Sequence, residues 1–325
     1  MADGPKLMVD EAGKGRAAAL SVASNGTLIA AKLVAGIATG SVAILTEAVH
    51  SSIDLLASIV AFISIRKAGE PADADHLYGH EKMENLAAAT EAALILVGAG
   101  IITYEAVARL LRGAHVHTVG VGIAVIGASA AVNLVVSRVI ARRARESRSV
   151  ALEGDAAHLS ADAISSVAVL IGLVLIAVTH AYWLDPVVAL IVAAGILVAG
   201  LRLLKRASRA LVDEALPEAD LALIRDTIRE LGAPRGVVAF HKLRSRAAGS
   251  RRYIDVHVQF AAGTTLEAAH RTAHELTDEI AHRLEGADML VHLEPEDRVE
   301  PGTELVPGSA ATAPVRDGSE EVDRG

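Results

Sequence analysis

Residues 47–58 read EAVHSSIDLLAS and lie within an apolar run from residue 41 to residue 65. That run is long enough to cross a lipid bilayer, which takes about 20 residues of helix. It nevertheless carries His50 and Asp54, which stand four apart and therefore share one face of a helix. Ionisable side chains at membrane depth are costly and usually face a cavity or one another. The stretch therefore predicts a membrane helix with a functional polar face.

The composition is that of an α-helical polytopic membrane protein. Of the 325 residues, 52% are hydrophobic, and the mean hydropathy of +0.41 is high for a soluble chain of this length. We predict six transmembrane helices within a domain of residues 17–209, at 17–39, 41–65, 86–110, 119–140, 163–178 and 187–204. The fifth helix should begin earlier, near Val150. The third carries Glu91 and Glu105, so this helix should face protein rather than lipid.

The charges set the expected orientation and exclude several partners. Lys and Arg cluster before the first segment and after the second, fourth and sixth. We therefore predict that both termini, including the tail 1–16, lie in the cytoplasm. The expected location is the cell (inner) membrane. The net charge of −8 comes without a basic patch and argues against nucleic acid. The lack of cysteine excludes disulfides, thiolate metal sites and cysteine nucleophiles.

The chain changes character after about Arg209. Residues 210–297 have the pattern helix, strand, strand, helix, strand, which predicts a compact cytoplasmic α+β domain. Its second helix has an apolar stripe of Leu266, Ala269, Ala273, Leu276, Ile280 and Leu284. Residues 298–325 are dominated by Pro, Gly, Thr and acidic residues, which predicts disorder.

A second copy of the opening motif lies 108 residues further along, in DAAHLSAD. His158 and Asp162 repeat the spacing of His50 and Asp54, and an acidic residue stands three before each histidine. Two imidazoles and two carboxylates suit tetrahedral zinc and would neutralise a divalent cation. The alternative is an interhelical hydrogen-bond network without metal.

The segments HSSID and HLSAD resemble the paired HxxxD motifs of the cation diffusion facilitator family, and the similarity covers roughly residues 17–297. The resemblance implies a homodimeric exporter that exchanges cytoplasmic divalent metal for protons and has a metallochaperone-like αββαβ domain. It implies a transport site formed by His50, Asp54, His158 and Asp162. Histidine at the head of both motifs is typical of the zinc-preferring members. Cadmium, cobalt, nickel, iron and manganese stay open as substrates.

The loop PADADHLYGHEKMENLAA, residues 71–88, is a second candidate metal site. Asp73, His76 and His80 are spaced so that they can converge on one cation, although composition alone equally allows a solvated loop. The resemblance implies a peripheral metal site here. It also implies a structural charge pair between Lys82 and Asp213, which could otherwise be ordinary surface charges.

The C-terminal domain holds a third candidate set. By resemblance, two metal ions lie where cytoplasmic domains meet, with structural or regulatory zinc held by His241, His257, His270, His292 and Glu294. A dimerisation module without metal is the alternative. His274, Asp278 and His282 continue a polar line along the helix and are interpreted as a solvated face.

The residue types also predict the mode of transport. Metal binding needs neutral imidazole and ionised carboxylate, so metal and protons compete for the same site. Neither His80-Glu81 nor His274-Glu275 completes the HExxH motif of a metalloprotease. No Walker-type loop is present, so we expect a secondary transporter and not an enzyme. A metal-sensing membrane scaffold is the competing function, but a sensor has no need of a buried intramembrane site.

Overall fold

Six long helices form the N-terminal unit in the part of the chain that the computed structural model describes. That part comprises residues 11–39, 42–112, 120–179, 181, 183–285, 287–296 and 302–307. The helices are α1 (Glu11–Thr39), α2 (Val42–Ala68), α3 (Lys82–Arg112), α4 (Gly120–Ser147), α5 (Val150–Thr179) and α6 (Leu184–Leu211). The fifth helix does begin at Val150, where its first turns carry polar residues.

Small side chains allow these helices to approach closely. Helix α1 packs against α2 and α4, α4 packs against α5, and α3 packs against α6 and α5. The buried cluster that contains residues of α1, α4 and α5 includes Ala17, Ala18, Ala144, Ala151 and Ala156. Alanine at such contacts brings backbones together, as is usual for helices packed in a membrane. The packing brings α2, α3 and α5 side by side, which matters for the site described below.

Four helices contain a stretch that is long and apolar enough to span a membrane, among the described residues. These stretches are Gly13–Ala38, Lys82–Leu111, Ala124–Ser147 and Pro186–Leu211. They belong to α1, α3, α4 and α6. The helices with the paired motifs, α2 and α5, are of similar length but are not among these four.

The two acidic residues predicted to turn the third helix toward protein differ in their burial. Glu91 is fully buried, as predicted. Glu105 is more than half exposed in its side chain and lies 3.8 Å from the guanidinium of Arg109, one turn further along. Glu105 therefore lies outside the core of the single chain, where an i,i+4 partner on its own helix accompanies it.

The C-terminal unit combines two helices with a small mixed sheet. Its elements are α7 (Glu218–Gly232), a short 3₁₀ turn (Ala233–Arg235), β1 (Val237–Ala248), β2 (Arg251–Phe260), α8 (Leu266–Arg283), β3 (Ala287–Pro295) and β4 (Glu304–Leu305). The strand order in the described residues is β3-β2-β1-β4, with β2 parallel to β3. Helix α8 makes the crossover that a parallel pair requires.

Glu304 and Leu305 belong to this sheet, although they lie in the segment whose composition predicted disorder. Strand β4 pairs antiparallel with β1, and Val306 is buried in the core of the unit. Glu304 contacts Arg225 and Arg229 of α7 at 3.1 and 2.7 Å. These contacts, rather than local propensity, order a strand of only two residues.

The core of the unit lies between the sheet and the apolar faces of α7 and α8. It includes Ile224, Phe240, Val256, Leu276 and Ile280. The predicted stripe of α8 is wrong at Leu266, which is 77% exposed. This residue is the first of the helix and directly follows the N-cap Thr265, whose hydroxyl accepts a hydrogen bond from the amide of Ala268.

Candidate functional site

The paired motifs meet inside the helical unit, where α2 and α5 lie next to each other. The Nε2 atom of His158 is 3.3 Å from Oδ1 of Asp54 and 3.7 Å from Oδ2 of Asp162. Each of the three residues offers a ligand atom, and these atoms all lie within 4.8 Å of one another. Asp54 and His158 are buried. The fourth predicted ligand, His50, and its neighbour Glu47 have side chains outside the described part of the chain.

Helix α3 adds a carboxylate to this cluster. Oε2 of Glu91 is 3.6 Å from Nδ1 of His158, on the opposite side of the imidazole from Asp54. The sequence indicated that Glu91 faces protein but did not place it at the site. The sequence shows Glu91 as an acidic residue within an apolar segment. It does not show which neighbouring helix the side chain faces.

A buried polar network lies one turn before His158. The hydroxyls of Ser21 and Ser58 donate to Oδ1 of Asp155 at 2.8 and 3.2 Å, and the Asn25 amide donates to Ser58 at 2.7 Å. All four residues are buried. The network ties α1, α2 and α5 together, at the start of the motif in α5 and one turn after Asp54 in α2.

A buried lysine, Lys32, also approaches the motif of α2, and the sequence reasoning missed it. Its Nζ donates to the hydroxyl of Ser51 at 2.7 Å, next to His50 in the chain. Lys32 is only 4% exposed. The sequence does show a lysine in the middle of the first apolar segment. An ionisable residue at membrane depth usually indicates a functional site.

The loop between α2 and α3 brings together the three residues predicted there. Nδ1 of His76 is 3.1 Å from Asp73 Oδ1, and Nε2 of His80 is 3.2 Å from Asp73 Oδ2. The backbone amide of His76 donates to Asp73 at 2.7 Å and holds the pKa of that carboxyl below its usual range. Gly79, with a φ of 88°, makes the left-handed turn between the histidines. A carboxylate and two imidazoles suit zinc.

The C-terminal unit gathers four of its five predicted residues on neighbouring strands. His241 on β1 and His257 on β2 contact Glu294 on β3 at 2.8 and 2.7 Å. His292 pairs with His257 in the parallel register, and its Nε2 is 3.6 Å from Glu294. Burial raises the pKa of Glu294, but the hydrogen bonds to His257 and His241 outweigh it and hold the pKa below its usual range.

The converging ligand atoms of this unit in the described chain belong to His241, His257 and Glu294, and neither His292 nor the fifth predicted residue, His270, is among them. His270 is exposed on α8, and its ring lies 4.5 Å from that of His274. The buried face of α8 runs through Ala269, Ala273 and Leu276, so His270 points away from it. It belongs to the polar line that was interpreted as a solvated face.

The proposed charge pair stays a prediction. Lys82 begins α3, whereas Asp213 lies in the C-terminal unit. Within that unit, Asp213 is 3.4 Å from the guanidinium of Arg246.

Two family models together match nearly all of the described chain. The cation efflux transmembrane domain matches residues 18–212, and the cation efflux protein cytoplasmic domain matches residues 216–296. The chain belongs to the cation diffusion facilitator family. This cation diffusion facilitator is therefore a cation efflux transporter in a membrane, and not an enzyme, as the sequence predicted.

Relatives of this cation diffusion facilitator match over most of their length. An uncharacterized transporter of Synechocystis is 36% identical over 278 residues, which cover 86% of this chain and 89% of the relative. The cation-efflux pump FieF of Shewanella oneidensis is 33% identical over 284 residues, covering 87% and 94%. A solved structure of the putative zinc transporter CzrB in its zinc form aligns with 27% of this chain and 98% of its own, at 32% identity and a TM-score of 0.26.

Proposed function

We propose that this cation diffusion facilitator exports Zn²⁺ from the cytoplasm in exchange for protons, through His50, Asp54, His158 and Asp162. The observation that carries the proposal is the convergence of Asp54, His158 and Asp162 from two helices. The proposed orientation has both termini in the cytoplasm and the chain in the inner membrane, which rests on the distribution of Lys and Arg.

The spacing of the ligand atoms favours a small tetrahedral cation. Zinc bonds of about 2.0–2.1 Å place neighbouring ligand atoms of a tetrahedron about 3.3 Å apart. The distances of 3.3 and 3.7 Å around His158 Nε2 are close to that value. Two carboxylates neutralise the charge of the substrate, and imidazole nitrogen favours zinc over the harder magnesium and calcium ions.

Competition between metal and protons supplies the coupling. His158 must lose a proton from Nε2 before that atom can bind metal, and a protonated Asp54 or Asp162 is a poor ligand. A site that opens alternately to a neutral cytoplasm and a more acidic exterior therefore binds metal on one side and protons on the other. Histidine suits this exchange because its ordinary pKa lies near the pH of both compartments.

The other two clusters have roles beside transport. The loop cluster of Asp73, His76 and His80 and the strand cluster of His241, His257 and Glu294 each bring their ligand atoms together, with His292 3.6 Å from Glu294. Imidazole and carboxylate donors fit a resident zinc ion. In this proposal the strand cluster lies where the domains of a homodimer meet. Zinc bound there would supply a cross-link between neighbouring strands, and Lys82 and Asp213 would be the structural charge pair of the dimer.

Zinc flux into proteoliposomes tests the proposal. Purified protein is reconstituted, and uptake of Zn²⁺, Cd²⁺, Co²⁺, Ni²⁺, Fe²⁺ and Mn²⁺ is measured with and without a pH gradient while a pH dye reports proton counterflow. Asp54→Ala combined with Asp162→Ala should abolish uptake. Asp278→Asn on the exposed face of α8 is the control and should transport normally.

Three outcomes would contradict the proposal in different ways. Transport that persists in the double aspartate variant refutes the site. Zinc uptake without proton counterflow refutes antiport. A wild-type protein that binds zinc and moves no cation would instead support the metal-sensing scaffold.

A further inference from the structure

Glu91 is a buried carboxylate without a hydrogen bond in the described part of the chain. Its side chain is fully buried, and neither carboxylate oxygen accepts a hydrogen bond within the described part of the chain. A buried polar group without a hydrogen bond destabilises the folded protein by most of its desolvation free energy. Such groups need a reason, and a functional one is common.

The surrounding packing holds Glu91 against α5. A Cβ at Gly154 would lie 3.2 Å from Cβ of Glu91 and 3.3 Å from Cα of Ala88. Glycine at position 154 thus lets α3 approach α5 more closely than any larger residue would. Gly154 lies one turn before His158, so this close contact is what brings the carboxylate to the imidazole.

The two ring nitrogens of His158 face different carboxylates. Nε2 faces Asp54 and Asp162, the other candidate ligands, whereas Nδ1 faces Glu91 at 3.6 Å. Nδ1 has no hydrogen-bond partner in the described chain. The Glu91 carboxylate lies beside it, but beyond hydrogen-bond distance. An imidazole that binds metal through Nε2 carries its proton on Nδ1, and that proton needs an acceptor.

We propose that Glu91 is a positioning residue of the transport site, contributed by a third helix. Its carboxylate accepts the Nδ1 proton of His158 when metal binds at Nε2, which fixes the tautomer and the ring orientation. A contraction of the 3.6 Å separation by less than 1 Å makes this hydrogen bond. The inference rests on the proposed function, because it assumes that His158 is a ligand of the transported metal.

The test compares two substitutions at one position in the full-length protein. Glu91→Leu removes the acceptor, and Glu91→Gln keeps an acceptor oxygen at the same place. Glu105→Leu, on the exposed part of the same helix, is the matched control. The apparent KM for zinc is taken from initial uptake rates in proteoliposomes, and the melting temperature is measured without metal.

Glu91→Leu should raise the apparent KM for zinc about 10- to 100-fold, the usual effect of losing such an outer partner. Its metal-free melting temperature should be unchanged or higher, because a desolvated carboxylate has been removed. Glu91→Gln should recover most of the affinity, and Glu105→Leu should match the wild type. A residue with only a structural role would lower the melting temperature and the affinity together.

An unchanged KM in Glu91→Leu would overturn the inference, as would a Gln variant as impaired as the Leu variant. A lowered metal-free melting temperature with a parallel loss of affinity would also overturn it. These failures differ from a failure of the proposed function. That failure would appear in the wild type, as absent zinc uptake, or in the double aspartate variant, as persisting uptake.

Discussion

The buried ion pair between Lys14 and Glu84 gives a sharp stability prediction for the helical unit. Nζ of Lys14 is 2.8 Å from Oε1 of Glu84, and both side chains are at most 2% exposed. Ser149 donates to the other oxygen of Glu84 at 2.6 Å and accepts from the amide of Leu152, in the first turn of α5. The pair therefore joins the starts of α1, α3 and α5.

The magnitude follows from the separation and the burial. Unit charges 2.8 Å apart attract each other by roughly 6 kcal/mol at an effective dielectric constant of about 20. Desolvation of two buried ions costs several kcal/mol each, so the net contribution of the intact pair is small. Removal of one partner leaves a buried charge without its counter-ion and should cost about 3–5 kcal/mol.

Three variants test this reasoning by reversible unfolding in mixed detergent micelles. Lys14→Met and Glu84→Met should each lower the free energy of unfolding by about 3–5 kcal/mol, whereas the double variant should lie within about 1–2 kcal/mol of the wild type. The control is Lys67→Met, which breaks an exposed pair with Glu70 and should change stability by less than about 0.5 kcal/mol.

Either of two results would refute the assignment of a desolvated pair. One is a Lys14→Met variant no less stable than the Lys67→Met control. The other is a double variant as unstable as the sum of the single variants, which would show that the two side chains contribute independently.

Three further predictions concern single positions. Gly154→Ala should raise the apparent KM for zinc by forcing α3 away from α5, whereas Gly98→Ala, with open space around its Cβ, should leave uptake unchanged. His241→Ala should lose the stabilisation that zinc gives the C-terminal unit, about 2.7 kcal/mol at 100 times Kd, while the exposed His270→Ala should keep it. Val306→Ala should destabilise the C-terminal unit by about 1–2 kcal/mol in a melting experiment, because its side chain is buried; wild-type stability would show that β4 does not form.

The sequence was sufficient for the elements whose signal is local and repeated. The copy of HSSID in HLSAD placed two polar faces on two helices, and i,i+4 spacing then fixed which side chains share each face. The alternating apolar residues Ile254, Val256, Val258 and Phe260 all lie in β2 and are all buried. In these cases the residues that determine the structure lie within one or two helical turns, or within one strand.

Other features could not be predicted because they depend on contacts between distant segments. Glu91 reaches His158 only because a glycine 63 residues away, Gly154, allows the two helices to touch. Strand β4 is hidden in a Pro- and Gly-rich tail and depends on β1 and on two arginines of α7. Similarly, the helical phase of α8 directs His270 away from the buried face, which a resemblance in sequence does not reveal.

The proposed transport site would also explain why this helix bundle retains so many acidic groups at its centre. Asp54, Asp155 and Glu91 are buried around His158, and hydrophobic residues of similar volume would pack there at less cost. The loop cluster differs, because Asp73 and His76 remain exposed to water and their charges are screened. Buried carboxylates that outnumber the positive charges around them favour the binding of a cation, whether metal or proton. Under the proposed exchange, the stability given up in the empty protein would be recovered when either metal or protons bind at this site.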